Sequence, residues 1–309
     1  MSEDFRLVRD VIVQTITPDL RVSDEVFNSH PPVAGRVELG KDLWIGSLGY
    51  ETVNAIMDAC SPRGLNFSPT RQFGFHYCLV REQKVKKTPS IKWDEDRQLQ
   101  DCIALSRLVH PTTISTHISA RLSYEAGTSD MPSMIVPGPS QGMGAFAWVN
   151  GPGWRNWLTN DEALELARLL KVYDFNSMPI RVRRAMRQFE SACLTYYPDA
   201  RLALVVTGLE ALVNTHRYQV AARFKKRIAL ISNDIGMSVS SDCAEKVYDY
   251  RSSLVHGQGL PGPGVTREFN EIYEIFEALL RKVVSKCVED VSYSNRFASN
   301  TSIDAVYPV

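Results

Sequence analysis

Residues 131–153 read MPSMIVPGPSQGMGAFAWVNGPG, a segment crowded with proline and glycine. Such punctuation marks turns, loops and domain joints, and the hydrophobic pattern differs on its two sides. Before it, Ile114, Thr116, Ile118, Ala120, Leu122 and Tyr124 alternate with Ser115, His117, Ser119, Arg121 and Ser123. That period of two predicts a strand with one buried face. After it, apolar residues return every three or four positions, the spacing of helices. A chain of 309 residues has room for two domains. The expected architecture is an α+β domain over residues 1–150, an all-α helical bundle over 159–290 and a polar, loosely ordered tail over 291–309. A short strand is expected inside the break at 145–149, and the spacing of a phosphate-cradling P-loop is missing there.

In the first half, strands are expected at 6–16, 43–48 and 73–80, and helices at 52–59 and 94–109. This order of elements gives α+β. His110 and His117 read as surface or strand histidines, and nothing in this half names a chemistry. A zinc site at Cys60, His76 and Cys78 matches no familiar ligand spacing, and no metal or cofactor is expected. The six cysteines are scattered without a CxxC, which fits free thiols in a reducing compartment. The opening residues MSEDFRLVRD lack the apolar core of a signal peptide. No apolar run reaches the ~20 residues of a membrane span. The expected location is the cytoplasm.

The second half carries helical pattern at 159–170, 180–197, 201–214, 218–233, 242–256 and 266–289, with Pro198 separating the second from the third. Short turns between such helices make a bundle. The helix at 201–214 is apolar around most of its circumference and must be buried. Glu210 is its lone charged residue between Leu202 and Val213, so it needs a cationic or backbone partner. A buried ion pair joining two helices and a catalytic or RNA-contacting role both fit.

Basic charge is concentrated here. Residues 179–230 hold ten arginines and lysines against three acids, a net +7 in a chain whose formal charge is zero. Arg181, Arg184 and Arg187 form one row on a helix surface, and Arg223, Lys226 and Arg227 follow. A solvated helix face and a footprint for phosphate backbones are the two explanations.

The last feature is YDYRSSLVHGQG, residues 248–259. Asp242 and Glu245 resemble a capping box that starts its helix. Ala244, Val247, Leu254 and Val255 would form its buried stripe, with Arg251 inside that stripe. Gly257 ends the helix, and His256 sits at its C-terminus, where the dipole favours imidazolium. Arginine binds phosphate through two donors, and histidine moves protons near neutrality. Together they suffice to cleave a phosphodiester without metal. In a regular helix, however, residues five apart point about 140° from each other. Two copies meeting across a two-fold axis could pool two arginines and two histidines in one cleft. A capping histidine with a snorkelling arginine is the other explanation.

RSSLVHG at a helix end, preceded by LALVVTGLEALVN and QVAARFKKRIALI, resembles the HEPN superfamily, specifically the Apea-like HEPN domains, over roughly residues 161–289. The family signature is an arginine followed by a histidine after four to six residues, which Arg251 and His256 match. Glu210 matches the acidic residue of the family's apolar LEAL-type helix. The resemblance implies a metal-independent RNA endonuclease acting as a dimer, often in prokaryotic anti-phage defence or toxin systems. Arg251, His256 and Ser252 would be catalytic, Glu210 supporting, and Arg181, Arg184, Arg187, Arg223, Lys226 and Arg227 would contact RNA. Many active members carry Asn, Asp or His where this chain has Ser252, so a non-catalytic module that dimerises or binds RNA or protein is the alternative. The first half would then sense a phage-derived or regulatory protein, or restrain the bundle.

Overall fold

The computed structural model describes residues 6–16, 28–60, 75–85, 97–112, 114, 118–125, 131–138, 155, 157–195, 197–216, 218–257 and 266–309. The strand expected at 145–149 lies outside these residues, as do His117 and Arg217. The described chain is α+β, with six strands in one antiparallel sheet and ten helices. It divides into two compact units, one reaching to Lys171 and the other beginning, among described residues, at Val172.

The first unit is built on the sheet β2-β3-β4-β1-β5-β6. Its strands are β1 (Arg6–Ile16), β2 (Arg36–Gly40), β3 (Leu43–Gly46), β4 (Phe75–Val85), β5 (Ile118–Tyr124) and β6 (Met134–Pro137). Lys41 and Asp42 both adopt positive φ, the two-residue turn whose twist suits the β2–β3 hairpin. One face of the sheet packs Val11, Val13, Trp44, Val80, Ala120 and Leu122 against Val53, Ile56 and Met57 of α1 (Tyr50–Cys60). On the other face Tyr77 lies near Cys102 of α2 (Arg97–Val109) and accepts a hydrogen bond from Leu158 N at 3.2 Å.

The alternation in β5 therefore does not mean one buried face: all seven of its residues are buried. The polar set is accommodated by pairing, since Arg121 meets Asp10 directly across the β1–β5 ladder, with contacts of 2.6 and 3.0 Å. Cys60 and Cys78 are buried in the apolar face, and burial pushes the Cys78 thiol up to about 12, away from the thiolate a metal needs. Among the described residues no three His, Cys, Asp or Glu side chains gather as a metal site.

The helix α3 (Asn160–Val172) is expected to open the bundle, but up to Lys171 it belongs to the first unit. Its start is a reciprocal capping box: Thr159 N donates to Glu162 at 2.8 Å, and Glu162 N donates to Thr159 Oγ1 at 3.3 Å. Glu162 also meets Arg155, and His110 Nδ1 at 3.1 Å, so these residues anchor α3 within the first unit.

The second unit is helical: α4 (Ile180–Leu194), α5 (Pro198–Val213), α6 (Val220–Asp234), α7 (Ser241–Val255) and α8 (Arg267–Glu289), then α9 (Val291–Asn295) and α10 (Asn300–Val306). Pro198 supplies the first turn of α5, where its missing N–H costs nothing. As its all-round apolarity predicts, α5 is central, with α4, α6, α7 and α8 around it. Gly208 permits a close approach: a Cβ there would lie 2.8 Å from Leu280 and 3.3 Å from Gln188.

The tail is ordered, contrary to its polar reading. Tyr293, Phe297, Ile303 and Tyr307 are buried, and Tyr307 stacks on Phe297. Asp290 caps α9 and Ser299 caps α10 through their side chains. Few apolar residues suffice because most of them are large aromatics on one side of two short helices. No helix among the described residues is long and apolar enough to cross a membrane.

Candidate functional site

The helix α7 begins earlier than its acidic residues suggest. Ser240 is the cap, its hydroxyl accepting from Cys243 N at 3.1 Å, and Glu245 instead receives Lys225 Nζ at 2.6 Å. Ala244 and Val247 are buried, Tyr248 packs on Phe224 and Tyr250 on Phe269. The last turn leaves the core: Leu254 is half-buried and Val255 is 57% exposed, so the expected stripe stops short of both. Gly257 takes φ +70° and donates to Leu254 O at 3.1 Å, a left-handed ending that favours glycine. His256 is exposed at the cap, its backbone N–H bonded to Ser252 O at 3.1 Å, and Ser252 is half-buried beneath it.

Arg251 turns inward. Its Nη2 donates to Glu210 Oε2 at 2.8 Å, the cationic partner that the apolar setting of Glu210 demands. The pair joins α5 to α7, with 24% of the arginine side chain and 10% of the glutamate side chain exposed. Loss of hydration raises the Glu210 pKa, opposed by the Arg251 charge and by a hydrogen bond from Asn214, and the balance stays above the usual carboxylate value. Arg251 Nε is buried with no partner among the described residues.

Glu210 lies in an open groove of about 710 Å³ between α4 and α5. Thr207, Ala211 and Asn214 line it from α5, and Arg181, Arg184, Arg187 and Gln188 from α4. Arg184 and Arg187 are exposed, with Arg187 resting its guanidinium 5.4 Å from the Phe175 ring. Arg181 forms a fixed wall. It donates to Ala211 O at 2.9 Å and Asn214 O at 2.8 Å, the last carbonyls of α5, and to Asn300. Burial and the neighbouring charges of Arg184 and Arg227 hold its pKa below the ordinary arginine value.

The basic stretch thus separates into two populations. Arg227, expected to contact RNA, is fully buried and spends its donors on Val213 O, Tyr307 O, Thr215 and Asp304. A guanidinium so enclosed cannot meet a phosphate. Arg201 is likewise interior and donates to Thr195 O. Arg223 is half-buried and Lys226 exposed on α6, and neither lines the groove. The fold brings Arg181, Arg184, Arg187, Glu210 and, through Glu210, Arg251 together. It leaves His256 and Ser252 off the groove lining.

Gln188, Thr207 and Asn214 are groove residues that the search for charges passed over. Asn214 stands four residues after Glu210, on the same helix face, which was the available signal. Asn300 and Asp304 came from a tail whose polarity concealed its role. Chemically, the groove offers two exposed guanidinium groups, Arg184 and Arg187, beside the Glu210 carboxylate, with Arg181 held at one edge. No protein-family model matches the chain, and neither does any curated protein or solved structure in these comparisons.

Proposed function

We propose that the protein is a metal-independent RNA endonuclease of the HEPN type, active as a homodimer in which the C-terminal turns of two α7 helices meet. The observation that carries this reading is the contact at 2.8 Å between Arg251 and Glu210, a carboxylate that lines a groove also lined by Arg184 and Arg187. A phosphate backbone attracted to those arginines runs past the guanidinium that would stabilise it. His256, exposed one turn later, has the right chemistry to move protons, and the half-emerged Leu254 and Val255 beside it suit a second copy.

In the proposed reaction His256 takes the proton of a ribose 2′-OH, and the 2′ oxygen attacks the adjacent phosphorus. The bond to the 5′ oxygen breaks as the partner subunit's His256 protonates that oxygen. Arg251 stabilises charge on the phosphorane, and Ser252 orients the phosphate. The products are a 2′,3′-cyclic phosphate and a 5′-OH. Anti-phage defence or a toxin system, with the sheet unit sensing a trigger, is the biological setting this activity suits.

The Arg251–Glu210 contact also favours a second reading, a helical dimer that binds RNA or protein without cleaving it, with Arg251 as interhelical brace. Sedimentation beside a gel-based cleavage assay separates the two. Under the endonuclease reading Arg251→Ala loses at least about a hundredfold in cleavage, the scale of one electrostatic contact in a transition state, and remains a dimer. Loss of the dimer, with no cleavage by the parent protein, supports the brace instead.

A further inference from the structure

In the proposed site, the guanidinium intended for a substrate phosphate already holds a carboxylate. Arg251 Nη2 meets Glu210 Oε2 at 2.8 Å, and Glu210 is itself part of the groove surface. Carboxylate and phosphate engage a guanidinium through the same donors. Two anions cannot occupy one fork at close range, because like charges about 4 Å apart repel strongly near a protein surface. The exposed Arg184 and Arg187 stand over the same groove and draw a polyanion toward that contact. The arginine is not enclosed: 24% of its side chain is exposed, which leaves the guanidinium open to a competing anion.

We propose that Glu210 is an internal stand-in for the substrate phosphate, holding Arg251 in place at rest and releasing it to an RNA phosphodiester drawn into the groove. This rests on the endonuclease reading of the same site. The exchange has a consequence for protons. Burial already raises the affinity of Glu210 for a proton, and Arg251 is the first charge opposing that rise. Once Arg251 turns to phosphate, a half-desolvated carboxylate remains beside another anion and takes a proton from solvent. Arg251 and Tyr248 meet Glu210 from α7, and Arg181, Arg184 and Arg187 share its groove from α4. From α6, Lys225 is committed to Glu245 and Arg227 to Asp304, and from α8 Glu277 is paired with Arg281. RNA binding should therefore tighten as pH falls, and the dependence should belong to Glu210.

The test is fluorescence anisotropy with a labelled RNA of about ten nucleotides, within the range of single-strand sites. The full chain carries His256→Ala, so that the RNA survives the measurement. Affinity is expected to rise about tenfold, the equivalent of one pKa unit, between about pH 7.5 and about pH 5.5. Adding Glu210→Gln should give the tighter binding at both pH values and remove most of the slope. An unchanged slope, or weaker binding by Glu210→Gln at the higher pH, overturns the proposal. Titration calorimetry of the His256→Ala chain in two buffers of different ionisation enthalpy decides the matter even if Glu210→Gln does not fold. Uptake averaging about half a proton across that pH range, the linkage equivalent of the tenfold rise, supports the stand-in, and no uptake refutes it. RNA turnover by the wild-type chain without proton-linked binding refutes the stand-in alone. Proton-linked binding without turnover refutes only the endonuclease reading, and no RNA binding by any form refutes both.

Discussion

Arg155, Arg227 and Arg251 each meet a carboxylate where water has limited access. They serve different ends because their surroundings differ. Arg155 is buried beside Glu162, which burial alone would make a weaker acid. Hydrogen bonds from His110 and Thr159 and the charges of His110 and Arg155 reverse this and hold the Glu162 pKa down to about 2. A carboxylate whose folded pKa is depressed stabilises the fold above its unfolded value, and that stability is lost as pH falls toward the folded one. From 4.5 to about 2, the contribution is about 3 kcal/mol at neutral pH. Glu162→Gln should therefore lower the melting temperature of the sheet unit at pH 7, and the gap from wild type should close as pH falls from 4.5 to about 2. Melting curves at several pH values check this, and a gap independent of pH would show that the charge of Glu162 is not the cause. Arg251 is the least enclosed of the three. Of the three pairs, only its carboxylate partner borders the groove.

Among the elements, α5 and β1 were the most legible in the sequence. A helix apolar around most of its circumference has to be central, its one acid needs a partner, and β1 spans the expected residues 6–16. The full burial of β5 is not legible in the sequence, because Ser119, Arg121 and Ser123 look like a wet face. Asp10 on the neighbouring strand supplies what water would have supplied, and no local pattern reports a cross-strand partner. Similarly, the cap of α7 was assigned to Asp242, although Ser240 had the right chemistry two residues earlier. The tail was underestimated for a different reason. Its few aromatics stand at helical spacing, but its importance lies in Asp304, which receives the enclosed Arg227 from α6. Asp304→Ala should leave that guanidinium short of a counter-charge and destabilise the helical unit by about 2 kcal/mol, less than a fully buried pair because Asp304 keeps contact with solvent. Urea unfolding followed by circular dichroism measures it. A cost no larger than that of an exposed surface substitution would mean that the carbonyls of Val213 and Tyr307 suffice for Arg227.

At the scale of the molecule, a chain without net charge places a +7 segment in its helical unit and balances it elsewhere. Counting charges overstates the surface available to RNA, since Arg201 and Arg227 are interior and Arg181 is tied to helix carbonyls. What remains on the groove is a short row, Arg184 and Arg187, beside Glu210, while Lys226 is exposed on α6 and does not line it. Arg251 and His256 were visible in the sequence as a spacing, but the side chains of one copy take different directions, one inward to Glu210 and one to the exposed helix end. The proposed activity therefore depends on whether those two residues act in one reaction. The most direct measurement is cleavage of end-labelled RNA by the full chain in excess chelator, with wild type and His256→Ala compared at equal concentration and the product ends analysed. The account predicts wild-type products ending in 2′,3′-cyclic phosphate, formed without metal, and a loss of at least about a hundredfold in His256→Ala, as for a general acid–base group. Equal cleavage by the two proteins, or cleavage only after magnesium is added, would contradict it.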